Sequence, residues 1–272
     1  MPSACLRPRR FLKVSVLLLL AGTFAVANLR RAILWDPGAS GALRPVPGLT
    51  LQDETLAFTF GGVHRGPMPD LARQPRVCRI EAVYRLVAAT DQAAAFNFIA
   101  PSADAVSARV NGREVAVTPS VFQEPPRLDR QGTPVAGPRY SLAFHGPLRA
   151  GPNEVAVAYS QTLGADEQGL AYFHRSRWRT FVGYEFWPVK EWVRVPGFKA
   201  ELTLSVPRSP GLWETLFGPD LLLGVETRDR DGAAPPSPVA GSHLRTADRL
   251  VSRFTLAGDR LPDVLTVSAT EK

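Results

Sequence analysis

The stretch from Tyr172 to Phe198 gathers the side chains best suited to binding chemistry. Nine of its residues are aromatic (Tyr172, Phe173, Trp178, Phe181, Tyr184, Phe186, Trp187, Trp192 and Phe198), and Arg175, Arg177, Arg179, Lys190 and Arg194 are threaded among them. An aromatic face can take a sugar ring, a peptide side chain or a guanidinium, and aromatics with arginine dominate the decisive spots of protein interfaces. Two readings of this stretch stand side by side. Val182, Tyr184 and Phe186 alternate, which packs that row into a β core. Pro188 cannot donate to a strand ladder, and Lys190 and Glu191 set charge beside Trp192, which puts Trp187, Pro188 and Trp192 on view. The candidate binding residues are therefore Trp187, Trp192, Tyr184, Arg177, Arg179, Lys190 and Glu191.

Catalytic constellations are missing. The four histidines, His64, His145, His174 and His243, lie far apart in sequence, and zinc needs three or four nitrogen or sulfur ligands, so no metal site is expected. No G-x-S-x-G elbow, P-loop or dinucleotide fingerprint occurs, and no cofactor is expected. Asp166 with Glu167, and Glu185 with Glu191, are carboxylate pairs of the kind glycosidases use, but 25 acidic residues supply such pairs by chance. Asp166-Glu167 reads as a solvated turn, and His174 beside Arg175 as a surface or packed histidine without a partner. The chain is expected not to be an enzyme; an enzyme with no recognisable motif is the further alternative, because sites assembled from distant residues leave no motif.

The elements that must carry these residues are strands. Cys78, Ile80, Ala82, Tyr84 and Leu86 alternate with Arg79, Glu81, Val83 and Arg85, the period of a half-buried strand. Phe96 and Phe98 mark the next strand. Asn111-Gly112 between Val106–Val110 and Val115–Val117 is a strong hairpin signal, since both central residues of a type I′ turn need positive φ. Tyr140 to Phe144, Val155 to Tyr159, Phe198 to Val206, Leu221 to Val225, Leu250 to Leu256 and Val264 to Ala269 continue the style. Long loops are expected over 124–138 and 229–242, and Pro210 to Phe217 alone reads as helical. The fold class is all-β, as one large or two tandem β-sandwich domains after an N-terminal hydrophobic export segment. The expected division is 1–27 signal peptide or membrane anchor, 28–48 linker, 49–163 first sandwich and 164–272 second sandwich.

Arg7, Arg9, Arg10 and Lys13 precede the apolar run Val14 to Ala27, which ends in Ala25-Val26-Ala27, the layout of a secretory signal. Arg30 and Arg31 come directly after it and argue for an uncleaved anchor instead, with membrane contact only through residues 14–29. On either reading the body is exported, to the periplasm or outside the cell. Removal of residues 1–27 takes four of the seven net positive charges with it. No basic run or nucleic-acid motif remains, so nucleic acid is not an expected partner. Cys5 leaves with the same segment, and Cys78 stands alone on the apolar face of its strand.

Four runs carry a resemblance. Leu148-Arg149-Ala150-Gly151, Val155-Ala156-Val157-Ala158-Tyr159, Gly169-Leu170 and Pro196-Gly197-Phe198-Lys199-Ala200-Glu201-Leu202-Thr203-Leu204 resemble the N-terminal β-domain of the zinc aminopeptidases over roughly residues 75–207. The Val110-Asn111-Gly112-Arg113 hairpin is similar to those of exported β-domains of unknown function. The resemblance implies a β-sandwich without the catalytic half, because H-E-x-x-H is absent. The expected function is that of an exported, non-catalytic β-sandwich protein that binds an envelope protein partner or supports an assembly. The alternative is a carbohydrate-binding module that stacks a glycan on exposed Trp and Tyr.

Overall fold

A computed structural model describes residues 34–35, 39–64, 75–102, 104–122, 139–168, 177–208, 221–229, 237–258 and 261–272. Its strands are numbered β1 to β18 in chain order. An eight-stranded sheet runs β16 (Gly241–Arg245), β17 (Arg249–Ala257), β13 (Arg194–Pro207), β3 (Leu49–Phe60), β4 (Val77–Ala88), β10 (Gly151–Thr162), β6 (Ser107–Val110), β7 (Arg113–Val115). A seven-stranded sheet runs β1 (Leu34–Trp35), β11 (Gly164–Gln168), β12 (Arg177–Glu185), β18 (Val264–Glu271), β14 (Leu221–Arg228), β15 (Ser237–Pro238), with β2 (Ala39–Gly41) also paired to β12. The third sheet has three strands, β5 (Gln92–Ala100), β9 (Arg139–Leu148) and β8 (Val117–Phe122). The one described helix, α1, is the single turn Trp187–Lys190.

Both smaller sheets pack against one face of the eight-stranded sheet. Tyr184 of β12 meets Phe58 of β3 edge-to-face at 6.0 Å, and Phe98 of β5 meets Tyr159 of β10 at 5.3 Å. The period-two rows expected from the sequence supply that face: Cys78, Ile80, Ala82, Tyr84 and Leu86 are fully buried, as are Ala200, Leu204 and Val206. All of these belong to one continuous hydrophobic cluster. The Asn111-Gly112 turn has φ of 51° and 75°, the left-handed pair that its hairpin requires.

Four expectations need correction. The halves divided at 163/164 do not form separate sheets: β3 pairs in parallel with β13, joining the early strands β4, β10 and β6 to the late strands β17 and β16. The linker expected over 28–48 contributes β1 and β2, and its Ala42 and Leu43 are fully buried, because an apolar pair beside a ladder gains more inside than in water. Asp166-Glu167 is not a solvated turn. It lies in strand β11, where Asp166 pairs with Arg179 at 3.0 Å and Glu167 is buried. Of the loop expected over 229–242, residues 237–238 form β15 and 241–242 begin β16, which comes close to β17 because Gly241 has no side chain: a Cβ there would sit 2.5 Å from the Phe254 ring; residues 230–236 lie outside the described residues. The export segment 1–27, the loop 124–138 and the helix expected at 210–217 lie outside the described residues. No helix among the described residues is long and apolar enough to cross a membrane.

Candidate functional site

Strand β12 ends where Phe186 and Trp187 both give their N–H groups to the carbonyl of Asp263, at 2.7 and 3.0 Å. Pro188 then sits in the first turn of α1, where its missing N–H costs nothing. The chain leaves this turn through Trp192 and enters β13 at Arg194, where the ladder with β3 loses its regular step. Arg194 is opposite Leu51 of β3 and Lys199 is opposite Asp53, so the four residues Val195 to Phe198 face Gln52 alone. This bulge pushes Pro196 and Gly197 into solvent, with Gly197 at φ +79°.

The bulge walls an open groove of about 490 Å³ whose lining includes Trp192, Arg194, Val195, Pro196, Lys199 and Gly258. Arg194 bridges it, giving a hydrogen bond to the Gly258 carbonyl at 3.2 Å while its guanidinium lies 5.7 Å from the Phe198 ring centre. Gly258 is required there, since a Cβ would come within 2.7 Å of the Phe198 carbonyl oxygen. Val193, between the lining residues Trp192 and Arg194 in the chain, is 69% exposed. Among the described residues the lining combines apolar surface with two cations and contains no carboxylate, histidine, hydroxyl or thiol side chain. Such a surface can hold an extended partner with apolar and acidic groups.

The structure scatters the residues that the sequence singles out. Arg177 and Arg179 open β12, whereas Trp187, Lys190, Glu191 and Trp192 come after its end, which lies roughly 26 Å from Arg177 and roughly 20 Å from Arg179 at ~3.3 Å per residue. Arg177 is exposed. Arg179 is tied to Asp166 at 3.0 Å and Glu226 at 3.1 Å. Tyr184 is fully buried. Trp192, expected on view, is only 4% exposed, because its indole N–H donates to the Leu43 carbonyl at 3.0 Å and its ring fills the core end. Trp187 is half-buried: its indole N–H donates to Glu185 at 3.3 Å, and the Arg44 guanidinium covers its ring at 4.4 Å. Lys190 pairs with Asp263, and Glu191 points to solvent. Sequence reasoning misses the groove residues Arg194, Val195 and Lys199. Their signal is Pro196-Gly197 interrupting an otherwise alternating run.

Beside this corner Arg139 and Glu185 form a buried ion pair at 3.0 Å. Cys78 is free and buried, and burial pushes its thiol well above the usual range, which makes it a poor nucleophile. His243 meets the Ser252 hydroxyl at 2.7 Å in a smaller cleft of about 300 Å³, but Ser252 is fully buried and out of a substrate's reach. Among the described residues no group of three metal-ligating side chains comes together.

No protein-family model and no curated protein sequence matches the chain. Solved structures do. A Legionella pneumophila protein provisionally described as nutrient-binding is 11% identical, with a TM-score of 0.49 over 87% of this chain and 72% of that one. The M1 zinc metallopeptidase of Deinococcus radiodurans is 10% identical, with a TM-score of 0.38 over 82% of this chain and 43% of the peptidase. A second structure of that peptidase, with a Tyr-Ser-Ala substrate bound, gives 12% identity and a TM-score of 0.35. This chain spans less than half the length of the peptidases.

Proposed function

We propose that the chain is an exported, non-catalytic β-sandwich protein that binds a protein partner of the cell envelope through the groove between Val193 and Lys199. The observation that supports this reading is the bulge of four residues against one, which lifts an apolar and cationic ridge out of an otherwise regular ladder. Bulges re-aim side chains at the cost of ladder hydrogen bonds, and this one aims them at an open groove. Export rests on the charged and apolar order of residues 7–27. The non-catalytic reading rests on the missing motifs and on a described lining without carboxylate, histidine, hydroxyl or thiol side chains. A glycan-stacking role would need Trp187 and Trp192 as open platforms, and the first is capped by Arg44 while the second is buried.

The test is a photoreactive amino acid at Val193 in living cells, with the captured species identified by mass spectrometry. One envelope protein captured reproducibly, and lost on Lys199→Glu, is the expected result. Capture of nothing, or capture that Lys199→Glu leaves intact, overturns the reading.

A further inference from the structure

The interior holds a carboxyl group that the groove does not use. Glu54 of β3 is fully buried, and its ladder neighbours are Tyr84 of β4 and Ala200 of β13. A hydrogen-bond chain leads from it across the sandwich. The Leu43 N–H donates to the Tyr84 hydroxyl at 3.0 Å, the Tyr84 hydroxyl meets the Tyr184 hydroxyl at 2.8 Å, and Tyr184 donates to Glu54 Oε1 at 3.1 Å. While Tyr184 gives its single proton to Glu54, Tyr84 is the donor in the middle link; a protonated Glu54 can donate instead, which reverses both links. The far end of the chain is the backbone of the segment Ala39–Arg44, which lies across this polar cluster like a strap.

The described groups that face Glu54 and its cluster can all be named. Tyr84 and Cys78 come from β4, Tyr159 from β10, Tyr184 from β12 and Ser40 from β2. None of them is a cation. The neighbouring ion pair, Arg139 with Glu185, begins at the residue after Tyr184, and Glu185 also accepts from the Trp187 indole. Among the described residues Glu54 Oε2 makes no well-aligned hydrogen bond, although the Tyr84 hydroxyl lies near the carboxyl, and the Ser40 and Tyr159 hydroxyls likewise lie near one another without good alignment. An anion in this place would be stripped of water with half its acceptor capacity unmet, a cost of several kcal/mol in general. Burial accordingly holds the carboxyl in its protonated form, raising its pKa to about 8, and pushes the three tyrosines up as well.

The strap is held by fewer ladder bonds than the strand beneath it. Strand β2 has only three residues, paired to β12, and the rest of the segment adds the isolated Leu43–Phe98 bridge and the Trp192 hydrogen bond to the Leu43 carbonyl, while β3 is held on both sides by ladders of β4 and β13. Water reaches an ionised Glu54 at the smallest cost by lifting the strap. We propose that the proton on Glu54 latches the segment Ala39–Arg44 onto the sandwich, so that losing the proton frees this segment while the sheets stay folded.

Three amides report on the strap directly: Ala42 N–H bonds to the Glu185 carbonyl, Leu43 N–H to the Tyr84 hydroxyl and Arg44 N–H to the Asn97 carbonyl. The experiment is hydrogen exchange of the whole chain at a series of pH values, corrected for the intrinsic pH dependence of exchange. One proton is linked to opening, so strap protection falls about tenfold per pH unit between roughly pH 5 and pH 8 and levels off above that. At every pH the strap amides exchange faster than those of Leu202 and Leu204 in the β13 ladder. In Glu54→Gln, which keeps the shape but cannot ionise, strap protection is independent of pH. The proposal is overturned if the wild-type strap shows no such slope, if Glu54→Gln keeps it, or if the strap opens no more readily than β13. Infrared spectroscopy of the wild type keeps the test decisive should the variant not fold. A protonated-carboxyl band present at pH 7 must fade in step with strap protection, and its absence at pH 7 also overturns the latch.

Discussion

Trp192 shows how far one side chain can depart from its sequence surroundings. Lys190 and Glu191 beside it argue for solvent, yet the indole sits in the core end because Leu43, 149 positions earlier, presents a carbonyl at hydrogen-bond distance. Its two contributions separate by substitution. Trp192→Phe keeps most of the packing and loses one hydrogen bond, costing about 1 kcal/mol in chemical denaturation. Trp192→Ala leaves a large hole as well and costs ~3–5 kcal/mol. Equal effects of the two would mean that the ring contributes nothing by packing. Glu54 carries a local signal of its own, in the phase of its strand. Leu49 and Leu51 point inward on odd positions, while Leu56, Phe58 and Phe60 do so on even ones. The phase slips between them at a bulge near Gln52, and Glu54 falls in register with the second set. A carboxylate in phase with an apolar row is the sign of a buried acid.

At the scale of elements, the strands are readable in the sequence and their partners are not. Period two is a local property, so the rows from Cys78 to Leu86 and from Phe198 to Val206 are plain in the sequence and are buried as expected. Pairing is a property of distant segments. Nothing in the residues of β3 names β13 as a parallel neighbour, and the groove exists only because the two ladders are out of step by Val195 to Phe198. Strand β16 depends on one residue in the same way. Gly241 lies so near the Phe254 ring that any side chain must displace it. Gly241→Val should detach β16 from β17, with loss of hydrogen-exchange protection over Ser242 to Arg245 and about 1–3 kcal/mol of stability, the usual cost of overpacking. Unchanged protection there would show that the ring moves aside freely.

The molecule as a whole should unfold as one unit. The eight-stranded sheet crosses the 163/164 position and all three sheets share a core cluster, so neither half can lose its strands without exposing the other. Tryptophan fluorescence and far-ultraviolet circular dichroism are expected to give one coincident transition; two separated transitions would mean two independent units. The same titration carries the signature of Glu54. The carboxyl is protonated in both states below the ordinary value of 4.5. Between there and about 8 the folded protein holds a proton that the unfolded chain has released. Stability therefore falls as pH rises through this window, by about 1.4 kcal/mol per unit at most, and flattens above it. Glu54→Gln removes this component of the slope.

The sequence by itself determined the class of the fold, the faces of its strands and the lack of any catalytic motif, because alternation, turn chemistry and motif spacing act between near neighbours along the chain. The tertiary structure alone decided which aromatic residues are surface and which are core, that one sheet joins the two halves, and that a carboxyl, three tyrosines and a strap from residue 39 meet inside. These depend on contacts between residues up to 149 positions apart. Burial and proton affinity at such contacts depend on what the other strands bring, which no local pattern contains.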